Sequence, residues 1–535
     1  MPGLRSFIRR AAAPAALALL LSSCGGSTHH APLTLPAVSG GGPESIFEEE
    51  ALLHADPAGT LDRLRQLGVN RVRVYISWAA LAPDPTSRTP PPGFDGTDPA
   101  AYPAASWAIY DTIVRDTLAR GLGLDVLLSS PAPEWATSPG EPPKGPVGVW
   151  RPSARDYGEF VQAVATRYNG SYVPPGDTKP LPRVDFWSIW NEPNIGVMLA
   201  PQAVDKSTIE VSPASYRRLL DAAWSALKAA GHEHDTILIG ELAPAGESLP
   251  PFPGNFAAMV PLRFLRALYC VDASYRPLTG VAAAQRSCPT TAAGSALFPR
   301  QHPALFDASG FAVHPYPQGL PPNEPTPGEP DYAELADMPK FESTLDALQR
   351  VYGSSKRYAI WSTEFGYQTK PPDPEPLTTT PQLAAYYLNW AEYLTWRDPR
   401  IKSYDQYLLQ DPSSGIFASG LLFPNGQPKP AFYAYRMPIY LPVTSAPAKQ
   451  ALEVWGCVRP FDYARLETRT RQRVQIQFQS NSRGPFATVT AVSLTNRHGY
   501  FDVAQRFPGS GTVRLAWTYP HGSTIYSRLV NITLQ

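Results

Sequence analysis

Sulfur is scarce in this chain of 535 residues, which has four cysteines and five methionines. So few cysteines cannot build a disulfide scaffold, and no Cys or His cluster has the spacing of a metal site. Charged residues make up only 17% of the chain and balance to a formal net charge of zero. That balance gives no support to a nucleic-acid-binding footprint or a polybasic membrane patch. Long apolar runs are missing as well. The run Ala11 to Leu21 is too short to span a bilayer as a helix. No glycine-rich nucleotide loop follows the first strand pattern, and there is no internal repeat or heptad.

Proline, by contrast, is abundant at 61 residues, clustered between apolar runs and therefore read as stiffened loops. At the N-terminus Arg5, Arg9 and Arg10 precede that apolar run, which ends in Leu21-Ser22-Ser23-Cys24-Gly25. This resembles a bacterial lipoprotein signal, with cleavage before Cys24 and lipidation of its thiol. The resemblance implies residues 1–23 as signal and an extracellular protein held to the membrane only by its lipid, the alternative being a plain secretory signal cut nearby and a secreted protein; residues 24–43, rich in Gly, Ser, Thr and Pro, read as a flexible tether. In an oxidising compartment Cys270 and Cys288, close in sequence and flanking a loop, are expected to pair, leaving Cys457 free and buried.

From about Asp56 to Gln410, short β-branched runs alternate with amphipathic stretches. Strands are expected at Ser45–Phe47, Val69–Ile76, Leu124–Ser129, Val184–Trp190, Thr236–Gly240, Gly310–His314, Tyr358–Thr363 and Ser403–Leu409. Helices fall between them, so the count fits a closed (β/α)8 TIM barrel over residues 44–438. The long proline-rich segments beginning at Pro83, Pro131, Pro193 and Pro315 all follow strands, on the face where barrels build their sites. Beyond Pro438 the pattern alternates with period two, as in Arg473–Gln479, Ala487–Leu494, Gly511–Trp517 and Tyr526–Leu534. Residues 439–535 are therefore expected to form an all-β, immunoglobulin-like sandwich.

Two strand patterns close on a carboxylate. One is Val184-Asp185-Phe186-Trp187-Ser188-Ile189-Trp190-Asn191-Glu192-Pro193, the other Tyr358-Ala359-Ile360-Trp361-Ser362-Thr363-Glu364-Phe365-Gly366. Two converging acids are what glycosidic hydrolysis needs, one to protonate the leaving oxygen and one to act on the opposite face of the sugar. Glu241 closes the fifth strand and is the rival carboxylate, read as a substrate or structural contact.

The order of these motifs resembles glycoside hydrolase clan A, whose barrels carry the acid/base after strand four and the nucleophile at the end of strand seven. The resemblance implies Glu192 as acid/base, Glu364 as nucleophile and Asn191 as a hydrogen-bond partner of the sugar 2-hydroxyl. It also implies Arg73 as the arginine that steadies the nucleophile, and His314 and Tyr316, in His314-Pro315-Tyr316, as its His-x-Tyr motif. The third strand lacks the histidine of many family 5 cellulases and looks closer to family 39, while the eighth lacks a tryptophan often found in the clan. Trp78, Trp135, Trp190 and Trp361 lie near strand ends, with Trp135 the best candidate for a sugar-stacking platform. A retaining β-glycosidase acting on an oligo- or polysaccharide is expected, as a monomer that requires no metal or organic cofactor. A carbohydrate-binding protein on the same barrel, or a transglycosylase, would carry much the same sequence.

Overall fold

The computed structural model describes residues 41–142, 145–204, 207–247, 255–480, 484–520 and 522–535. The signal and most of the tether, with Cys24, lie outside the described residues. Eight parallel strands form one sheet: β1 (Glu44–Glu48), β2 (Arg71–Ser77), β3 (Gly123–Ser129), β4 (Phe186–Ile189), β5 (Thr236–Leu242), β6 (Gly310–Val313), β7 (Ala359–Ser362) and β8 (Ser403–Tyr407). From β1 to β7 each pairs with the next in sequence, and β8 pairs with β1. The remaining edges meet through Ile360 N–H to Arg400 O at 3.0 Å, Lys402 N–H to Ile360 O at 2.8 Å and Tyr407 N–H to Phe365 O at 2.7 Å. The result is a closed barrel, which leaves no strand edge to aggregate.

Helices fill the crossovers as the pattern requires, among them Pro57–Leu67, Ala104–Ala119, Ala154–Arg167, Ser212–Ala229, Met338–Val351 and Pro381–Arg397. Asp56, Ser153 and Thr380 cap three of them with side-chain oxygens, and proline sits in the first turn of several. Outward-facing Val72, Val74, Ile76, Val126, Leu128, Ile237 and Ile239 pack against these helices in one large core. The inward faces differ. Phe186, Leu238, Ala312 and Trp361 form a small apolar cluster with the Arg71 guanidinium over the Phe186 ring. Beside it the register aligns Glu48 with Arg73 and Arg73 with Asp125 on three neighbouring strands. The long proline-rich segments follow β2, β3, β4 and β6. The disulfide between Cys270 and Cys288 lies between a helix and β6, toward the opposite face.

After the helix Pro430–Arg436 the chain is β-rich: β9 (Ile439–Tyr440), β10 (Ser445–Ala446), β11 (Leu452–Cys457), β12 (Arg473–Ser480), β13 (Ala487–Ser493), β14 (Tyr500–Gln505), β15 (Gly511–Thr518), β16 (Thr524–Tyr526) and β17 (Val530–Leu534). They make a six-stranded sheet, β10-β17-β15-β12-β13 with β16 on β15, and a three-stranded sheet, β14-β11-β9. All ladders are antiparallel except β10 with β17. The sequence pattern anticipates β12, β13, β15 and β17 and names no run for β9, β10, β11, β14 or the helix Phe461–Thr468. All six residues of β11 are buried, so it shows no alternation to read.

This region is joined to the barrel through buried contacts. Tyr393 and Trp396 of the helix Pro381–Arg397 pack with Tyr440, Trp455, Tyr500 and the unpaired Cys457. Within the same seam Glu392 accepts from Arg459 Nη2 at 2.5 Å and from the Tyr500 hydroxyl at 2.8 Å. Gly68 ends the helix Pro57–Leu67 in a left-handed turn at φ 81°, and a Cβ there would lie 2.2 Å from the backbone of Arg459. Gly68→Ala is therefore expected to lower the unfolding free energy by about 1–3 kcal/mol through strain and overpacking. Urea denaturation measures this, and an unchanged midpoint would mean that the seam yields freely.

Candidate active site

The site grows from two strand ends where alternation breaks. At the end of β4, Trp190 adopts φ 65° and Glu192 φ 40°; on β5, Gly240 has φ 105° and Glu241 φ 49°. Left-handed backbone at non-glycine residues costs roughly 1–2 kcal/mol each and persists where packing over-determines it. Here Trp190 is fully buried in the outer core against Tyr157, while Asn191 and Glu192 face the other acids. At Gly240 a Cβ would come within 2.3 Å of the Phe311 ring, so only glycine fits. The β5–β6 register shifts between Ile239 and Leu242, which brings Glu241 into the barrel.

Arg73, with no exposed side-chain surface, is the hub. Its Nη1 donates to Glu364 Oε1 at 2.8 Å and also to Glu48. Its Nη2 donates to Glu241 Oε2 at 2.9 Å and to Asn191 Oδ1 at 3.1 Å, and Asp125 Oδ2 lies 3.8 Å from Nε. The other oxygen of Glu364 accepts from the Tyr316 hydroxyl at 3.1 Å. His314 spans three acids: Nδ1 is 2.9 Å from Glu192 Oε1 and 3.5 Å from Glu364 Oε2, and Nε2 is 3.0 Å from Glu241 Oε2. Six of the residues singled out from the sequence, Arg73, Asn191, Glu192, His314, Tyr316 and Glu364, are thus in one hydrogen-bonded cluster.

Trp135 is not part of it. It is half-buried, its indole N–H donates to Pro83 O at 3.0 Å, and Trp78 and Phe94 pack on it. Of the other tryptophans near strand ends, which the sequence leaves open between stacking and packing, Trp78 and Trp190 are fully buried. Trp361 belongs to the apolar cluster inside the barrel, edge-on to Phe186. Missed from sequence are Glu48, Asp125, Asp405 and Thr363. Asp405 accepts from Phe365 N–H at 3.1 Å, and Thr363 Oγ1 donates to Glu241 Oε2 at 2.7 Å. A lone polar residue inside an apolar strand, as in Leu124-Asp125-Val126, is the signal that marks Asp125; the other three have polar neighbours in sequence and carry no such mark.

Six carboxyl groups, those of Glu48, Asp125, Glu192, Glu241, Glu364 and Asp405, face two basic side chains, so they cannot all be ionised. Burial pushes Glu48 up to about 8, Asp125 up to about 7 and Asp405 well above the carboxylate range. Burial also raises Glu192, with the charge of Glu364 adding and the His314 hydrogen bond opposing. Burial would raise Glu241 too, but Arg73 and His314 overcome it and hold Glu241 near about 2. For His314 burial acts downward, yet Glu364, Glu192 and Glu241 raise it to about 10. One oxygen each of Glu192 and Glu364 and a ring nitrogen of His314 lie within 4.8 Å of one another, close enough to surround a cation. Both His314 nitrogens already face carboxylates, which favours a proton on the ring over a metal.

No protein-family model matches the chain, and no curated protein matches it in sequence. Solved structures with a similar course of chain include a family 39 glycoside hydrolase from Bacteroides cellulosilyticus, 14% identical, with a TM-score of 0.46 over 87% of this chain and 80% of that one. An endo-β-1,4-mannanase from Thermotoga petrophila is 11% identical, with a TM-score of 0.40 over 93% and 98%. A family 1 β-glucosidase from Thermotoga maritima is 15% identical, with a TM-score of 0.41 over 71% and 85%. These neighbours are glycoside hydrolases at low identity.

The proton inventory makes stability depend on pH. Glu48, Asp125 and His314 hold protons more tightly folded than unfolded. The stability they contribute is complete below their unfolded values and is lost as pH rises through the folded ones. Glu241 acts in the opposite sense, losing its contribution as pH falls through about 2. Urea unfolding across pH should show stability declining from neutrality toward about pH 10, and Glu48→Gln should flatten the part ending near about pH 8. A wild-type protein equally stable at both ends of that range would contradict the inventory.

Proposed function

We propose that this protein is a retaining glycoside hydrolase acting on a β-linked oligo- or polysaccharide, with Glu192 as acid/base and Glu364 as nucleophile. The observation that carries the reading is the closeness of the pair, with one oxygen of Glu192 within 4.8 Å of one oxygen of Glu364. Retaining enzymes hold their carboxyl groups about 5–5.5 Å apart, whereas inverting ones need roughly 6.5–9.5 Å to admit a water.

The surroundings divide the labour. Arg73 and Tyr316 each donate to a different oxygen of Glu364, which suits an ionised nucleophile of fixed orientation. Burial raises the proton affinity of Glu192, the direction a general acid requires. In the first step Glu364 attacks the anomeric carbon as the bond to the leaving oxygen breaks, and the Glu192 proton goes to that oxygen. In the second, Glu192 takes a proton from water, which attacks the same carbon and frees Glu364. With its Oδ1 on Arg73, Asn191 keeps its amide N–H groups for a sugar hydroxyl. Neither step requires a metal or an organic cofactor. The same proposal includes export and attachment through a lipid on Cys24, action as a monomer, and no nucleic-acid partner.

A screen of the purified protein against aryl β-glycosides and plant or bacterial polysaccharides, with Glu364→Ala alongside, tests this. Wild-type turnover, lost by at least about a thousandfold in Glu364→Ala and partly restored by azide as an inverted glycosyl azide, is the expected result. A folded wild-type protein that binds sugar and turns over nothing would make this a binding protein instead.

A further inference from the structure

Glu241 has no part in the two-carboxylate chemistry, yet it is fully buried at the centre of the site. Its Oε2 accepts from Arg73 Nη2 at 2.9 Å and from Thr363 Oγ1 at 2.7 Å, and lies 3.0 Å from His314 Nε2. Arginine can only donate, so Oε2 carries no hydrogen and His314 must hold one on Nε2 to bond it; Oε1 is buried with no partner to receive a proton, so Glu241 is a carboxylate. The other ring nitrogen, Nδ1, faces Glu192 Oε1 at 2.9 Å and Glu364 Oε2 at 3.5 Å. Once Glu192 has lost its proton, Nδ1 faces carboxylate oxygens alone, and only a protonated ring gives both of its nitrogens a hydrogen to donate.

We propose that Glu241 is a positioning residue for the proton chemistry of Glu192: through His314 it keeps a positive charge against the Glu192 carboxylate whenever that residue has given up its proton. This rests on the glycosidase reading. When Glu192 protonates the departing oxygen, it becomes an anion in a buried site. The Glu241–His314 pair, which neither gains nor loses a proton in the cycle, stabilises that anion until Glu192 takes a proton back from water. The charged groups around the ring are Glu192 from the end of β4, Glu241 from β5, Glu364 after β7 and, through Glu241, Arg73 from β2. Tyr316, on the same segment as His314, is occupied by Glu364. The raised proton affinity of His314 agrees with this arrangement.

The first test needs no substrate. Nitrogen-15 NMR of the histidine side chains, with His314→Asn to assign the signal, should show both ring nitrogens of His314 protonated at about pH 7 in the wild type and one proton lost in Glu241→Gln. A neutral ring in the wild type, or the same titration in both proteins, overturns the proposal. The second test uses a dinitrophenyl glycoside, whose leaving group needs no acid, so that hydrolysis of the intermediate limits kcat. Without the cation Glu192 is a base that protonates more easily, so the acidic limb of kcat should move up by about one pH unit in Glu241→Gln, with KM falling as the intermediate accumulates. Glu241→Asp should restore the limb. An equal loss at every pH, for this substrate and for one with a poor leaving group alike, would mean that Glu241 only braces Arg73. If Glu241→Gln does not fold, His314→Asn must show the same shift of the limb, and an unmoved limb counts against the proposal. A wild type that turns over no glycoside defeats the glycosidase reading, while the NMR result still decides whether Glu241 charges His314.

Discussion

One guanidinium organises the inside of this barrel. Arg73 has no exposed surface and bonds Glu48, Glu241, Glu364 and Asn191, four residues from four different strands or strand ends. A buried ion is costly unless its partners compensate it, and the reverse holds for each carboxylate around it. Neither side of this arrangement could be buried without the other. The barrel closes around a polar cluster because its cation and acids are matched in position, while the apolar cohesion comes from the outer layer of strands and helices.

The same constraint makes two neighbouring glutamates chemically different. Glu364 and Glu192 lie within one small region, but Glu364 is held by Arg73 and a tyrosine hydroxyl, and Glu192 by an imidazole. Left-handed residues at the ends of β4 and β5 turn Glu192 and Glu241 toward that region, at a cost in backbone strain that the packing of Trp190 and the close approach to Phe311 that only Gly240 permits make tolerable. Strain at these points is spatially tied to the chemistry, as expected where geometry must be held without adjustment.

Much of this was legible in the sequence because it sits where patterns end. Asn191-Glu192-Pro193 and Thr363-Glu364 close apolar runs, and Arg73 alternates with valines in a strand, so their inward direction follows from period two. Glu48 was not legible. It begins the run Glu48-Glu49-Glu50, which reads as a solvated acidic stretch, and only the pairing with β2 turns its first member toward Arg73. Glu49, next to it, is buried for another reason, accepting from Leu409 N–H and Gln410 N–H. Asp125 and Asp405 were hidden because period two gives a face and not a partner. Period and position leave Trp78 and Trp190 open between packing and stacking, because large aromatics near strand ends fill the space under loops as readily as they face a ligand.

Whether the two glutamates act through a covalent intermediate decides the stereochemistry of the reaction. Proton NMR of the first sugar released from an aryl β-glycoside or β-linked oligosaccharide, recorded before the anomers equilibrate, reads this directly. The β-anomer as first product is the outcome expected of two carboxylates whose oxygens lie within 4.8 Å. The α-anomer would mean that water attacks in a single step, and would contradict the assignment of Glu364 as nucleophile.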